Sequence, residues 1–116
     1  MASFSPGDVV KVPFPYTDRA TRQSRPALVV VSGDIEEAHG LLWVVMITSA
    51  ANRGWPGDFA IPQPSAAGLP APSVVRTAKL ATIDARDATR LGAVPSALRD
   101  RILHSLIASL EEGRTG

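Results

Sequence analysis

Apolar and polar residues alternate weakly over 7–14 (GDVVKVPF), the rhythm of a strand that follows a Gly-Asp turn. Pro13 and Pro15 end that strand or hold it at a sheet edge, because neither can donate to a ladder. Residues 16–25 (YTDRATRQSR) are polar and aperiodic, which predicts a loop. Two runs then lose their alternation altogether. Residues 26–31 (PALVVV) and 41–47 (LLWVVMI) are continuously apolar and rich in β-branched side chains. Runs of that length are too short for helices and suit strands covered on both faces. Between them, 33–40 (GDIEEAHG) reads as a connection bounded by glycines.

The pattern changes at residue 50. Residues 50–72 hold five prolines and three glycines, predicting a long loop interrupted by one short strand over 58–62. Residues 73–83 (SVVRTAKLATI) predict a long, bent strand, 84–90 one helical turn, and 91–94 (LGAV) a last short strand. Beyond Pro95, apolar side chains recur at Leu98, Ile102, Leu103, Leu106, Ile107 and Leu110, the spacing of an amphipathic helix over 95–110. Pro95 suits its first turn, where a missing N–H costs nothing. The tail 111–116 is expected to fray. The fold class is therefore mainly β (α+β): a small, curved antiparallel sheet or barrel with a C-terminal helix packed on it.

Consecutive strands joined by a short connection are usually antiparallel neighbours. Positions paired in such a ladder have a constant sum. Setting Ser32 against Leu41 gives 73, and so does Arg25 against Thr48. Arg25, entering one central strand, is thus expected opposite Thr48, leaving the other, at the mouth of the sheet beside the first loop.

Bulk properties narrow the picture. The length of 116 residues fits a single domain 1–116 with its core over 6–110 and leaves no room for a cofactor domain. There is no cysteine, which excludes disulfides, thiolate chemistry and cysteine-based zinc sites and fits a cytoplasmic protein. No apolar run approaches the ~20 residues of a membrane span, and the first ten residues lack a secretory pattern. The net charge of +1 says little about nucleic acid. Its distribution says more: Lys11, Arg19, Arg22 and Arg25 face a single Asp18 over 11–25.

An arginine beside a threonine suits phosphodiester chemistry. The guanidinium holds phosphate and stabilises developing negative charge, and the hydroxyl orients an oxygen or passes a proton. RNA would supply its own 2′-hydroxyl as nucleophile. On geometry alone the plainer alternative stays open: Arg25 pairs with a carboxylate and Thr48 only ends a strand. His39 and His104 lack the mutual spacing and acidic partners of a metal site. Trp43 is expected in the core. Trp55, in the Pro/Gly loop, either stacks on a base or seals the end of the barrel. No phosphate-cradling glycine loop or serine-nucleophile motif occurs.

GDVVKVPFPYTD, RPALVVVS, MITS, SVVRTAKLATID and LGAV, in this order before a terminal helix, resemble the MazF/PemK family of type II toxin–antitoxin toxins over residues 6–110. The resemblance implies a small SH3-like β-barrel with a C-terminal helix, usually a homodimer. It implies a toxin that cleaves single-stranded RNA in a sequence-selective, metal-independent way through the 2′-hydroxyl, without a cofactor, and is restrained by a cognate antitoxin. It also implies catalytic residues: Arg25 from the RP motif, Thr48 from the ITS motif, and Arg76 from SVVR. The loop arginines Arg19 and Arg22, with Ser49, Lys79 and Trp55, are the expected RNA contacts. Two features depart from part of the family. Ala78 stands where some members carry an acidic residue as base, and residues 16–24 hold no histidine. An Asp–Arg–His mechanism is therefore not carried over. The alternative is a non-catalytic relative of the same fold that binds a protein target such as a topoisomerase, or binds nucleic acid without cutting it.

Overall fold

The two continuous apolar runs become the middle of one sheet, and both of its faces are covered. The computed structural model describes residues 3–13 and 24–115. Its strands are β1 (Asp8–Pro13), β2 (Ser24–Val31), β3 (Leu41–Ser49), β4 (Asp58–Ala60), β5 (Ser73–Asp84) and β6 (Thr89–Ala93). They form a six-stranded sheet in the order β4-β5-β3-β2-β1-β6, with every neighbouring pair antiparallel. Helix α1 (Asp34–His39) joins β2 to β3, and α2 (Ser96–Thr115) ends the chain.

Side chains alternate between the faces. Val9, Leu28, Val30, Val45, Ile47 and Val75 pack on one side with Leu98 and Ile102 of α2. Val10, Val12, Ala27, Val29, Leu42, Val44 and Met46 pack on the other with Phe4, Ile83 and Ala85. Because each central strand serves both cores, neither has a polar face. Register shifts fall within the β1–β6, β2–β3 and β3–β5 ladders. Such irregularities bend strands and increase twist, and so curl the sheet.

The β2–β3 register is the expected one at Ala27↔Met46, Leu28↔Val45 and Val29↔Val44. It slips by one beyond Val29, where Val31 pairs with Trp43. Ser32 is therefore not opposite Leu41, while the pairs from Ala27 to Val29, on the side toward Arg25 and Thr48, keep the original sum.

Several boundaries differ from the sequence pattern: the strand expected over 58–62 ends at Ala60, and the last strand, expected over 91–94, runs from Thr89 to Ala93. The connection 33–40 contains α1, closed by Gly40 in the left-handed conformation at φ 67°. The buried carboxylate of Glu36 accepts backbone N–H bonds from Ser3 at 2.8 Å and Phe4 at 3.1 Å, tying the N-terminal segment to α1. Pro95 stands just before α2, and its carbonyl accepts the Arg99 N–H at 3.0 Å. The helix then continues through Thr115, across most of the tail expected to fray. Trp43 is also misplaced by pattern. It is 41% exposed, not part of the core. No helix among the described residues is long and apolar enough to cross a membrane.

Candidate functional site

Carried two residues past Ala27↔Met46, the β2–β3 register sets Arg25 against Thr48 on one face of the sheet. Both line a pocket of about 180 Å³ at the strand ends. Pro26 and Ile47, which alternate to the opposite face of their strands, also line it, and one wall is the Leu69–Pro72 stretch leading into β5. That wall is fixed by the Ala50 N–H donating to the Pro72 carbonyl at 3.0 Å and by the Ser73 hydroxyl donating to the Ala71 carbonyl at 2.8 Å. Its lining therefore includes one cationic residue, Arg25, the hydroxyl-bearing Thr48, Ser49 and Ser73, and several apolar residues. A phosphate fits that set, since an arginine fork gives paired donors and hydroxyls serve the remaining oxygens.

Beyond Thr48 the chain makes a single 3-10 turn, Ala50–Asn52. Ser49 caps it, its hydroxyl oxygen accepting the Ala51 N–H at 3.2 Å. At the other end Asn52 Nδ2 donates to Thr48 Oγ1 at 3.1 Å. The turn therefore folds back onto Thr48, near the end of β3.

Arg76 holds a second cluster beside this turn. It pairs with Asp58 across β4 and β5, and the pair is close to buried. Its Nε donates to Asp58 Oδ1 at 3.1 Å and its Nη2 to Oδ2 at 2.9 Å, a bidentate grip. Nη2 also donates to the Asn52 carbonyl at 2.6 Å. The guanidinium lies 4.1 Å from the Trp55 ring centroid, and Lys79 Nζ lies 5.7 Å from it. The Arg76 hydrogen bond holds the Asp58 carboxyl below its ordinary pKa, helped by backbone N–H donors at Trp55 and Gly54 and opposed by burial. The same carboxylate raises the Arg76 pKa. Gly57 completes the turn into β4 at φ +89°, and a Cβ there would sit 2.6 Å from Thr77 Oγ1.

The structure thus brings Arg25, Thr48 and Ser49 to one pocket and sets Arg76, Trp55 and Lys79 in the adjoining cluster. Arg76 is not among the residues lining the pocket. Arg19 and Arg22 lie outside the described residues. Asp58 and Asn52 carry the geometry of both clusters, yet neither stood out in the sequence. Among the described residues no three of His, Asp or Glu gather as a metal-binding group.

A separate groove of about 500 Å³ runs between α2 and the sheet. It is apolar, lined by Trp43, Leu80, Leu103, Leu106, Ile107 and Leu110. Ala78 lies on this groove and does not line the Arg25–Thr48 pocket.

Comparison with known proteins gives the family and the fold. Residues 5–110 match the family model of the PemK-like, MazF-like toxin of type II toxin–antitoxin systems. No curated protein matches the chain. Among solved structures, MazF in a MazE–MazF complex from Deinococcus radiodurans is 26% identical, with a TM-score of 0.66, covering 89% of this chain and 94% of that one. The Mycobacterium tuberculosis toxin MazF-mt6 shares the fold at 20% identity and a TM-score of 0.64, covering 93% and 97%. So does a mycobacterial endoribonuclease in complex with its cognate antitoxin, at 20% identity and a TM-score of 0.66, covering 90% of each chain.

Proposed function

The chain belongs to the PemK-like, MazF-like family of type II toxin–antitoxin toxins, and from that premise we propose that it is a sequence-selective endoribonuclease that cleaves single-stranded RNA at the Arg25–Thr48 pocket. The observation that carries this reading is the shared pocket itself, lined by both Arg25 and Thr48.

The reaction follows from those groups. The 2′-oxygen of the ribose attacks the adjacent phosphorus and gives up its proton to solvent. The bond from phosphorus to the 5′-oxygen breaks, and that oxygen takes a proton. The products are a 2′,3′-cyclic phosphate and a 5′-hydroxyl. Charge builds on the phosphate oxygens in the transition state. Arg25 meets that charge with its paired donors, and Thr48 gives a hydrogen bond to a phosphate oxygen or to the departing one. Arginine stays protonated, so electrostatic stabilisation suits it better than the role of base. The nucleophile comes from the substrate, and the reaction needs no metal to generate it.

Binding outside the pocket falls to the flanking residues. The Trp55 ring is 46% exposed and rests on the Arg76 guanidinium, and it offers a base a surface to stack on. Lys79 beside it, Ser49, and the loop residues Arg19 and Arg22 are assigned to the RNA backbone. Ala78 lies on the apolar groove, so the missing carboxylate takes nothing from the Arg25–Thr48 pocket.

Two protein partners belong to the proposal. A cognate antitoxin is supported by the described complexes of related toxins. A second copy of the chain is supported by the groove, where Trp43, Leu80, Ile107 and Leu110 stay exposed in the single chain. The test of activity is incubation of the purified protein, freed of antitoxin, with a long RNA in chelator. Cleavage that Arg25→Ala abolishes supports the assignment, and intact RNA refutes it.

A further inference from the structure

We infer that Asn52 is a positioning residue, one that fixes the Thr48 hydroxyl as a hydrogen-bond donor toward the substrate phosphate. This rests on the Arg25–Thr48 pocket being the reaction site. A threonine hydroxyl has one proton and two lone pairs. Asn52 Nδ2 donates to Thr48 Oγ1 at 3.1 Å and so occupies one lone pair. Two protons cannot share that line, so the hydroxyl proton turns away from Asn52. Thr48 and Arg25 line one pocket, and on the proposed reading a phosphate oxygen held there by Arg25 is the acceptor that the hydroxyl meets. Without Asn52 the hydroxyl rotates freely between donating and accepting. With it, the orientation that serves a phosphate is set before substrate arrives, and no reorientation is needed in the transition state.

Asn52 is itself well held. The Arg53 N–H donates to the Ala50 carbonyl at 3.2 Å, and Ser49 caps the start of the turn. The Asn52 carbonyl accepts from Arg76 Nη2 at 2.6 Å, and Arg76 is gripped in turn by Asp58. A hydrogen-bonded series thus runs from Asp58 through Arg76 and Asn52 to Thr48. It gives Arg76 and Asp58 work at the site without placing either on the substrate. Supporting contacts of this kind keep a reacting group within a fraction of an ångström of its productive position.

The test is single-turnover cleavage of a short RNA carrying one mapped site, at saturating protein. Asn52→Asp keeps size and shape but replaces the donor with an acceptor, which draws the Thr48 proton away from the phosphate. Ala51→Asp places the same charge on the neighbouring exposed residue and measures the effect of charge alone. The expected result for Asn52→Asp is a loss of maximal rate beyond that of Ala51→Asp by about 10–100-fold, the size seen when an orienting partner of a metal ligand is removed. In a Thr48→Ala background the two aspartates should have equal effects. Thermal melting checks that each variant is folded, and Asn52 is exposed enough to change without loss of core. Equal rates for Asn52→Asp and Ala51→Asp, with Thr48→Ala impaired, overturn the role of Asn52 and leave the site intact. Full activity in Thr48→Ala overturns the site itself.

Discussion

Asp58 and Arg76 stand directly opposite each other in the β4–β5 ladder and are joined by two hydrogen bonds, at 2.9 and 3.1 Å. Sequence separates them by eighteen positions. The pair anchors the segment between Asn52 and Asp58, because Arg76 also holds the Asn52 carbonyl and supports Trp55.

This pair makes stability depend on acid in a defined direction. The Asp58 carboxyl lies below its ordinary pKa of 3.8 chiefly because Arg76 donates to it. Its folded pKa is depressed, so its contribution is complete above 3.8 and disappears as pH falls through the lower, folded value. Urea denaturation of the wild type and of Asp58→Asn over a pH series isolates it. The wild type should be the more stable at neutral pH, and the gap should close only below 3.8. A gap that does not change with pH would show that the carboxylate's charge is not what matters.

Two isoleucines of α2 should behave differently. Ile102 is 0% exposed in the core, and Ile107 is 58% exposed on the groove. Ile102→Ala should cost about 2–5 kcal/mol in unfolding free energy, the range for emptying a packed site. Ile107→Glu should leave the fold nearly unchanged and weaken self-association by about 30-fold or more, a hot-spot loss. Sedimentation over a concentration series reads the second effect. A wild type that stays monomeric at micromolar concentration would refute the dimer.

Trp55 should act on binding and not on chemistry. Loss of one base-stacking contact is worth about 1–3 kcal/mol. Trp55→Ala should therefore raise KM for a short RNA by roughly 5–150-fold with kcat nearly unchanged, and Trp55→Phe should recover part of the loss. A change confined to kcat would assign the indole to support of Arg76 instead.

The parts legible in sequence are those with a local or arithmetic signature. PALVVV and LLWVVMI announced central strands because two-sided burial removes alternation. A constant sum of 73 matched the ladder at Ala27↔Met46 and Leu28↔Val45, since register is rigid along an unbroken pair of strands. It failed beyond Val29 because nothing in three consecutive valines marks where a strand bulges. Trp43 was misread for a related reason: an apolar run does not reveal which of its members lies beside a groove. Helix α1 is too short to show a period. The Asn52–Thr48 contact depends on the path of one 3-10 turn, and the Arg76 contacts depend on the pairing of a three-residue strand. Neither has a signature in composition or spacing.

The assignment of the Arg25–Thr48 pocket as a ribonuclease site is tested most directly by mapping cuts and their end groups on a long RNA. Wild-type protein free of antitoxin is incubated in chelator beside Arg25→Ala of matched melting temperature. The expected result is a small set of discrete cuts, each with a 2′,3′-cyclic phosphate and a 5′-hydroxyl. Arg25→Ala should be slower by about 100-fold or more, the loss typical of removing a main charge-stabilising donor. Intact RNA with the wild type, or cutting that Arg25→Ala leaves undiminished, would contradict it.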